Sequence, residues 1–527
     1  MTAIKTLIEN GAVFLGIEFG STRIKGVLID EGHTPIASGS FTWENSLVDG
    51  IWTYSQEEIL CGLKTCYKNL KKDVLEKYGV TLKKLGGIGI SAMMHGYMPF
   101  DANDKLLVPF RTWRNTITAE ATEKLSESFN FNIPERWSVA HLYQAILNKE
   151  AHVKDISSIN TLAGYVHFLL TGEKLVGVGE GSGIFPINDK LSYDEKMLEK
   201  FDELLKKEGF KKKAAELFPK IKLAGENAGY LTESGALLLD EEGDLHSGVP
   251  FCPPEGDAET GMVATNSIRV KTGNVSAGTS IFAMIVLDKA LSKRYKEIDI
   301  VATPDGYPVA MVHCNNCTNE INAYANLFGE ISESLTGKAD MNAIYEMIFS
   351  LSEKADKDAG NITVYNYLSG ESITDFTSGR PMLVRGENAK FTLPNLLRAN
   401  LYSSVATLAI GMRILWNENV EVNSLCGHGG LFKTGAEGAK VLASSIKVPI
   451  TVMETAGEGG PWGMAILAAY AKNGNGKKLP EYLDEEVFDS SKKSTIMPDE
   501  NYSEGFEKYL DRFEKGLDAE RKAVELL

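Results

Sequence analysis

The chain has 527 residues, 43% of them hydrophobic, with 55 Lys and Arg against 71 Asp and Glu and a net charge of −16. At roughly 100–200 residues per domain, that length calls for two to four domains. The acidic balance excludes a general nucleic-acid binder, which carries basic stripes, but not a nucleotide held by backbone N–H groups. No apolar run reaches ~18 residues, so no membrane-spanning helix is predicted, and Lys5 and Glu9 interleaved with the apolar residues of Met1–Gly11 leave no continuous h-region, so no secretory leader is expected. Six cysteines make no disulfide framework in so long a chain, and a reducing cytoplasm is the expected compartment.

Strand-like and helix-like segments alternate, the pattern of an α/β protein. Phe14–Phe19 and Ile24–Ile29 read as apolar strands around the turn Gly20-Ser21-Thr22. Ser55 and Glu58 form a capping box ahead of apolar positions Ile59, Leu63, Cys66, Tyr67, Leu70 and Val74, spaced as one helix face, and Gly79 stops that helix. Ile88–Ala92 reads as a buried strand running into the loop Met93–Gly96. In the second half, Val275–Ser280 repeats the opening pattern: strand, glycine with two hydroxyl residues, apolar strand, aspartate. Gly20 to Asp30 and Gly278 to Asp288 each span ten residues, and the two copies lie 258 residues apart. A repeat at half the chain length predicts two related domains, 1–264 and 265–527, with an amphipathic helix over Phe506–Val524 as an appendage.

A glycine turn with Ser or Thr lets N–H groups and hydroxyls approach phosphate oxygens closely. It also serves as an ordinary hairpin turn, but two copies at half-chain spacing predict opposed hairpins clamping one polyphosphate. No P-loop is present, and Gly177–Gly183 fails the dinucleotide pattern because Ser182 stands at the third glycine. Glu18 is a carboxylate inside an apolar strand, to be exposed, paired or placed near a cation; holding hydrated Mg²⁺ through water would satisfy it. Asp257 follows Pro253-Pro254-Glu255-Gly256 where a helix begins, an N-cap position that also suits a general base for a hydroxyl. His95 lies in a strand-end loop, the usual ligand position of open α/β sheets. Arg111-Thr112-Trp113-Arg114-Asn115 offers an aromatic face and donors as a pocket wall. His313-Cys314-Asn315-Asn316-Cys317 lacks the second ligand pair of a structural zinc site and reads as two ordinary thiols. Gly427–Thr434 and Gly457–Gly460 are strand-to-helix turns flat enough to approach a base or ribose.

Taken in order over residues 12–472, these segments resemble the FGGY family of carbohydrate kinases, and most nearly its xylulokinase-type members. Gly16–Lys25 resembles the first phosphate motif, Met94-His95-Gly96 the sugar-contacting loop, and Gly256-Asp257-Ala258 the stretch with the catalytic aspartate. Ser276–Ser280 resembles the second phosphate motif and Gly427–Thr434 the adenosine motif. The resemblance implies two actin-like, ribonuclease-H-like domains with a nucleotide cleft between them. It further implies ATP- and Mg²⁺-dependent phosphorylation of a sugar hydroxyl, most simply of a ketopentose such as xylulose. Asp257 would be the base and Glu18 the outer-shell metal residue. Gly20, Ser21, Thr22, Lys25, Gly278, Thr279 and Ser280 would hold phosphates, Gly429 and Gly430 would lie under the adenosine, and Met94, His95, Trp113, Asn115 and Asp257 would form the sugar pocket. Sugar and ATP are the expected partners, with no nucleic acid or membrane; a homodimer is compatible with this. Three departures stand out: Glu18 for the usual Asp, Met93 for the usual Gln, and Arg114, Asn115 and Ile117 where xylulokinases carry Asn, Asp and Arg. They leave open another ketose, a deoxyketose, a polyol or a sugar acid. An actin-like ATPase without sugar phosphorylation is the reading from another class.

Overall fold

The computed structural model describes residues 2–432, 435–453, 459–489 and 492–527. Lys433, Thr434, Gly457 and Glu458, parts of two glycine turns singled out above, lie outside the described residues. The first sheet contains β1 (Phe14–Phe19), β2 (Arg23–Ile29), β3 (Pro35–Thr42), β4 (Gly87–Ala92) and β5 (Glu255–Gly256) in the order β3-β2-β1-β4-β5. β1 and β2 pair antiparallel from Phe14↔Ile29 to Phe19↔Ile24, β3 continues antiparallel, and β4 and β5 add on parallel. The second sheet contains β6 (Thr272–Ala277), β7 (Ile281–Val286), β8 (Ile298–Ala302), β9 (Pro308–Cys314), β10 (Ser424–His428), β11 (Ile450–Met453) and β12 (Lys493–Ile496), ordered β8-β9-β7-β6-β10-β11-β12. Without its edge strands β8 and β12, this sheet has the order and strand directions of the first. The half-chain repeat of the sequence is thus a repeat of topology.

β1 is almost continuously buried because helices cover both faces of its sheet, the condition under which strands lose polar alternation. One face carries α1 (Gln56–Tyr78). Its Ser55 side chain accepts from Glu58 N while the Glu58 carboxylate accepts from Ser55 N, and Gly79 ends it at φ 66°, as its sequence predicts.

The other face is covered by a helix from the far end of the chain, Gly460–Asn473. Together with α2 (Asp257–Ala264) it packs at backbone distance. A Cβ on Gly16 would overlap Pro461 O and sit 2.5 Å from Ala465 N, and one on Gly463 would overlap the Thr260 carbonyl. Trp462 Nε1 donates to His33 O at 2.8 Å, and the His33 ring lies 2.6 Å from the Tyr482 hydroxyl. Late sequence therefore completes the early sheet.

The expected C-terminal appendage is instead core structure. It is two helices, Glu500–Lys515 and Leu517–Leu526, with Phe506, Tyr509 and Phe513 fully buried in the second half. The break falls at Gly516, where a Cβ would strike the Tyr365 hydroxyl, which donates to Phe513 O at 3.0 Å. Amphipathic spacing shows that one face is buried, not how much covers it. All six cysteines are free thiols, and no helix among the described residues is long and apolar enough to cross a membrane.

The glycine contact is testable. Gly463→Ala should destabilise the protein by about 1–3 kcal/mol, the usual cost of overpacking, read as a lower urea midpoint. Gly261→Ala, in α2 with open space around its Cα, should be neutral or stabilising.

Candidate active site

The two glycine turns are fixed in the same way. In the first, between β1 and β2, all three carbonyls point into the protein. Gly20 O accepts from Trp43 Nε1 at 2.7 Å, Ser21 O from the Tyr54 hydroxyl at 2.5 Å, and Thr22 O from Trp43 N at 3.2 Å. In the second, between β6 and β7, Thr318 N and its hydroxyl donate to Gly278 O at 3.1 and 2.8 Å, and Cys317 N donates to Thr279 O at 2.9 Å. With their carbonyls tied inward, both turns keep their outer rims for a ligand. Thr22 and Thr279 are exposed, and open space surrounds the Cα of Gly278.

The Cys314–Cys317 segment thus supports the second turn. Both thiols are buried, and desolvation holds them protonated above the ordinary thiol range, in line with the reading as ordinary thiols. The segment is held by Glu371, whose carboxylate accepts from Asn315 N at 3.0 Å, Asn316 N at 3.3 Å and Asn316 Nδ2 at 3.2 Å. Glu371, 55 and 56 residues downstream of its partners, carries no sequence signal for this role.

Gly429 and Gly430 follow β10 beside the second turn. Gly429 has φ 104°, and a Cβ there would collide with the Ala277 carbonyl, so only glycine fits. Next to them opens a cleft of about 660 Å³ lined by Gly278, Thr279, Asn322, Asn342, Tyr345 and Gly430, among others. The lining residues from the helices Asn319–Thr336 and Met341–Ser352 belong to no motif read from the sequence.

Asp257 opens α2, but not as its cap. Gly256 takes the N-cap position, because it still pairs with Ala92 as part of β5 and the helix can start only after it. The Asp257 side chain instead accepts from Met94 N at 3.2 Å. Burial raises its proton affinity above the ordinary aspartate range, while backbone N–H groups act against this. Glu18, across β1 from Lys25 in register, is pushed up to about 8 by burial and then by the charge of Asp257, with Lys25 opposing. A desolvated carboxylate facing a second one in this way suits a hard cation held through water; among the described residues no set of three or more His, Cys, Asp or Glu forms a direct metal cage.

The Asp257–Met94 bond brings the predicted loop to the predicted base. His95 (φ 70°) and Gly96 (φ 93°) turn the chain there. The buried His95 ring stacks on Trp137 with centroids 6.1 Å apart and lies 3.4 Å from Gly183 O. Burial, then the nearby Arg136, keep it neutral, well below the ordinary histidine range. The Arg111–Asn115 segment lies alongside: Tyr97 and Arg111 exchange backbone hydrogen bonds at 2.9 and 3.1 Å. Trp113 is 39% exposed.

Asn115, expected in the sugar pocket, is buried and committed to backbone. Its Oδ1 accepts from Trp52 N at 2.8 Å, and its Nδ2 donates to Trp52 O at 2.8 Å and Thr112 O at 2.9 Å. It braces the wall from behind. Trp52 in turn carries the Arg114 guanidinium 3.8 Å over its ring.

Comparison with known proteins gives the family and the fold. The model of the N-terminal domain of the FGGY family of carbohydrate kinases matches residues 13–264, and that of the C-terminal domain matches residues 273–472. A xylulose kinase from Haemophilus influenzae is 22% identical over 528 residues, covering 94% of this chain and 99% of that protein. The fold is similar to that of a ligand-bound xylulose kinase from Lactobacillus acidophilus (TM-score 0.78, 17% identity, 97% of this chain and 99% of that one). It is equally similar to a gluconate kinase from the same organism (TM-score 0.78, 18% identity, the same coverage). With both domain models matched across most of its length, the chain belongs to the FGGY family of carbohydrate kinases and is a sugar kinase.

Proposed function

We propose that the protein transfers the γ-phosphoryl group of ATP to a hydroxyl of a ketopentose such as xylulose. The observation that carries this is the desolvated Asp257 carboxylate, hydrogen-bonded to Met94 N in the sugar-loop segment and electrostatically coupled to Glu18. Asp257 accepts the proton of the attacking hydroxyl. The loop Met94-His95 and the exposed Trp113 shape the acceptor pocket, and the neutral His95 presents a polar ring without adding charge. Gly20, Ser21, Thr22, Gly278, Thr279 and Ser280 hold phosphate oxygens, with Lys25 adding positive charge. Gly429 and Gly430 floor the adenosine site, with Asn322, Asn342 and Tyr345 around it. Mg²⁺ would neutralise phosphate charge, and Glu18 is the residue that would hold it. Phosphoryl transfer asks little covalent chemistry of a protein, so positioning and charge neutralisation dominate.

The division falls at residues 264 and 265. Free thiols and the lack of a membrane-crossing helix among the described residues suit a reducing cytoplasm. A sugar acid is the second reading of the acceptor: the fold is as similar to the gluconate kinase as to the xylulose kinase, and the altered wall places Arg114 beside Trp113.

An ATP-consumption panel over ketopentoses, ketohexoses, polyols and aldonic acids with Mg²⁺ should show ketopentose-dependent turnover. A preference for aldonic acids would move the acceptor to the second reading, and ATPase independent of any carbohydrate would refute the kinase chemistry. Asp257→Asn should lower kcat by about 10²–10⁴-fold, the usual contribution of a positioned general base, while ATP still binds by calorimetry. Glu371→Ala should raise KM for ATP several-fold and leave KM for the sugar unchanged, since it frees the segment that holds the second phosphate turn.

A further inference from the structure

Three glutamates with no role assigned above converge behind Asp257: Glu180 in the short helix Val178–Ser182, Glu255 in β5 and Glu259 in α2. Each is at most 1% exposed. Glu255 Oε2 accepts from Glu180 N at 2.7 Å, but Glu255 Oε1 and both carboxyl oxygens of Glu180 and of Glu259 meet no hydrogen-bond partner among the described residues. Glycines make the space. A Cβ on Gly177 would overlap Glu255 Oε1; one on Gly179 would sit 2.6 Å from Glu255 Oε2 and 2.5 Å from Glu259 Cγ; one on Gly256 would overlap Glu259 Oε2 and sit 2.9 Å from Glu180 Oε2. Gly256 is the residue before Asp257, so the three carboxyls share the ground immediately behind the base.

Among the described residues no Lys or Arg acts on any of the three to offset their charge. Asp257 faces the group from the start of α2, Thr161 and Tyr193 face Glu180, and Cys252 and Asp305 face Glu255. Arg269 and Lys478 act on Asp305 at the outer edge. Among the described residues no group of three or more His, Cys, Asp or Glu is arranged to hold a metal ion. A buried carboxylate with neither partner nor cation neutralises itself by taking a proton. Burial pushes Glu255 up to about 8, and burial followed by mutual repulsion carries Glu180 and Glu259 well above the ordinary range. Among carboxyls sharing a site, differing environments separate the proton holders from the ionised member. Asp257 is the least buried of the four, and Met94 N donates to it.

We propose that Glu180, Glu255 and Glu259 are positioning residues that hold protons behind Asp257, leaving Asp257 as the charged member of the four and the base of the reaction. The proposal rests on the kinase reading above. In the transfer step the acceptor O–H bond breaks and its proton passes to the Asp257 carboxylate. The oxygen's electron pair forms the bond to the γ-phosphorus, and the bond from that phosphorus to the β,γ-bridging oxygen breaks, leaving ADP. The triad exchanges no atom. Loss of its protons at alkaline pH places negative charge behind Asp257 and against the incoming phosphates.

The test uses the full-length protein and the isosteric, permanently neutral variants Glu180→Gln, Glu255→Gln and Glu259→Gln. A glutamate whose folded-state proton affinity exceeds its unfolded value stabilises the fold below its unfolded pKa, and that stability is lost as pH rises through the folded value. Wild-type Tm should therefore fall between about pH 4.5 and pH 8, the range spanned by the usual glutamate and Glu255, and each variant should flatten that slope. Wild-type kcat/KM should fall by about tenfold or more from neutral to alkaline pH, about tenfold being the change per pH unit beyond a controlling ionisation, and the variants should hold their plateau further. Unchanged Tm slopes would overturn the proton-holding claim. Flattened slopes with an unmoved alkaline limb would overturn the link to Asp257. A loss at neutral pH as deep as that of Asp257→Asn would show that the glutamates act as anions, which also overturns the proposal. If wild type phosphorylates no acceptor, the kinase reading falls, and the Tm slopes alone decide whether the triad holds protons.

Discussion

A carboxylate removed from water has to be matched by a cation, a donor or a proton, and the candidate active site of this sugar kinase is organised around that requirement. Glu18 and Asp257 are both desolvated, and the charge of Asp257 raises the proton affinity of Glu18, so the site favours whatever brings positive charge to it. This also gives the net charge of −16 its meaning. An acidic surface as a whole attracts no polyanion; in the proposed reading a phosphate group is received by the inward-tied turns, placed cations and the charge of a metal nucleotide.

The duplicated topology supplies the scaffold for this. In each half a glycine turn joins the first two strands of a sheet, and in each half a separate segment draws the turn's carbonyls inward. The partners differ: Trp43 and Tyr54 in the first half, Cys317 and Thr318 in the second. The repeated element is the geometry of the turn, and the side chains that enforce it have diverged. The helix Gly460–Asn473 links the halves, since it belongs to the late sequence but packs on the early sheet through glycines on both sides of the contact.

Much of this was legible in the sequence because it depends on neighbours in the chain. The capping box at Ser55, the stop at Gly79, the strand–turn–strand units at Gly20 and Gly278 and the helix after Asp257 are all local. Where the sequence misled, a distant partner had decided. Asn115 has the composition of a sugar ligand but was claimed by the Trp52 backbone 63 residues away. Asp257 was displaced from the cap because strand pairing extends one residue further. The C-terminal helix was core because Tyr365 and its neighbours cover the face that spacing alone leaves open.

The sequence by itself determined the α/β class, the half-chain repeat and the ordered set of motifs that identify the family, since each is a pattern of residue types at fixed spacing. Only the tertiary structure decided which of those residues share a site and in what electrostatic state. Gly177–Gly183, read in sequence only as a failed dinucleotide loop, delivers Glu180 to within reach of Glu255 and Glu259, far along the chain. Proton affinity is set by desolvation and by charges a few ångströms away, and neither is encoded in the spacing of residues along a chain.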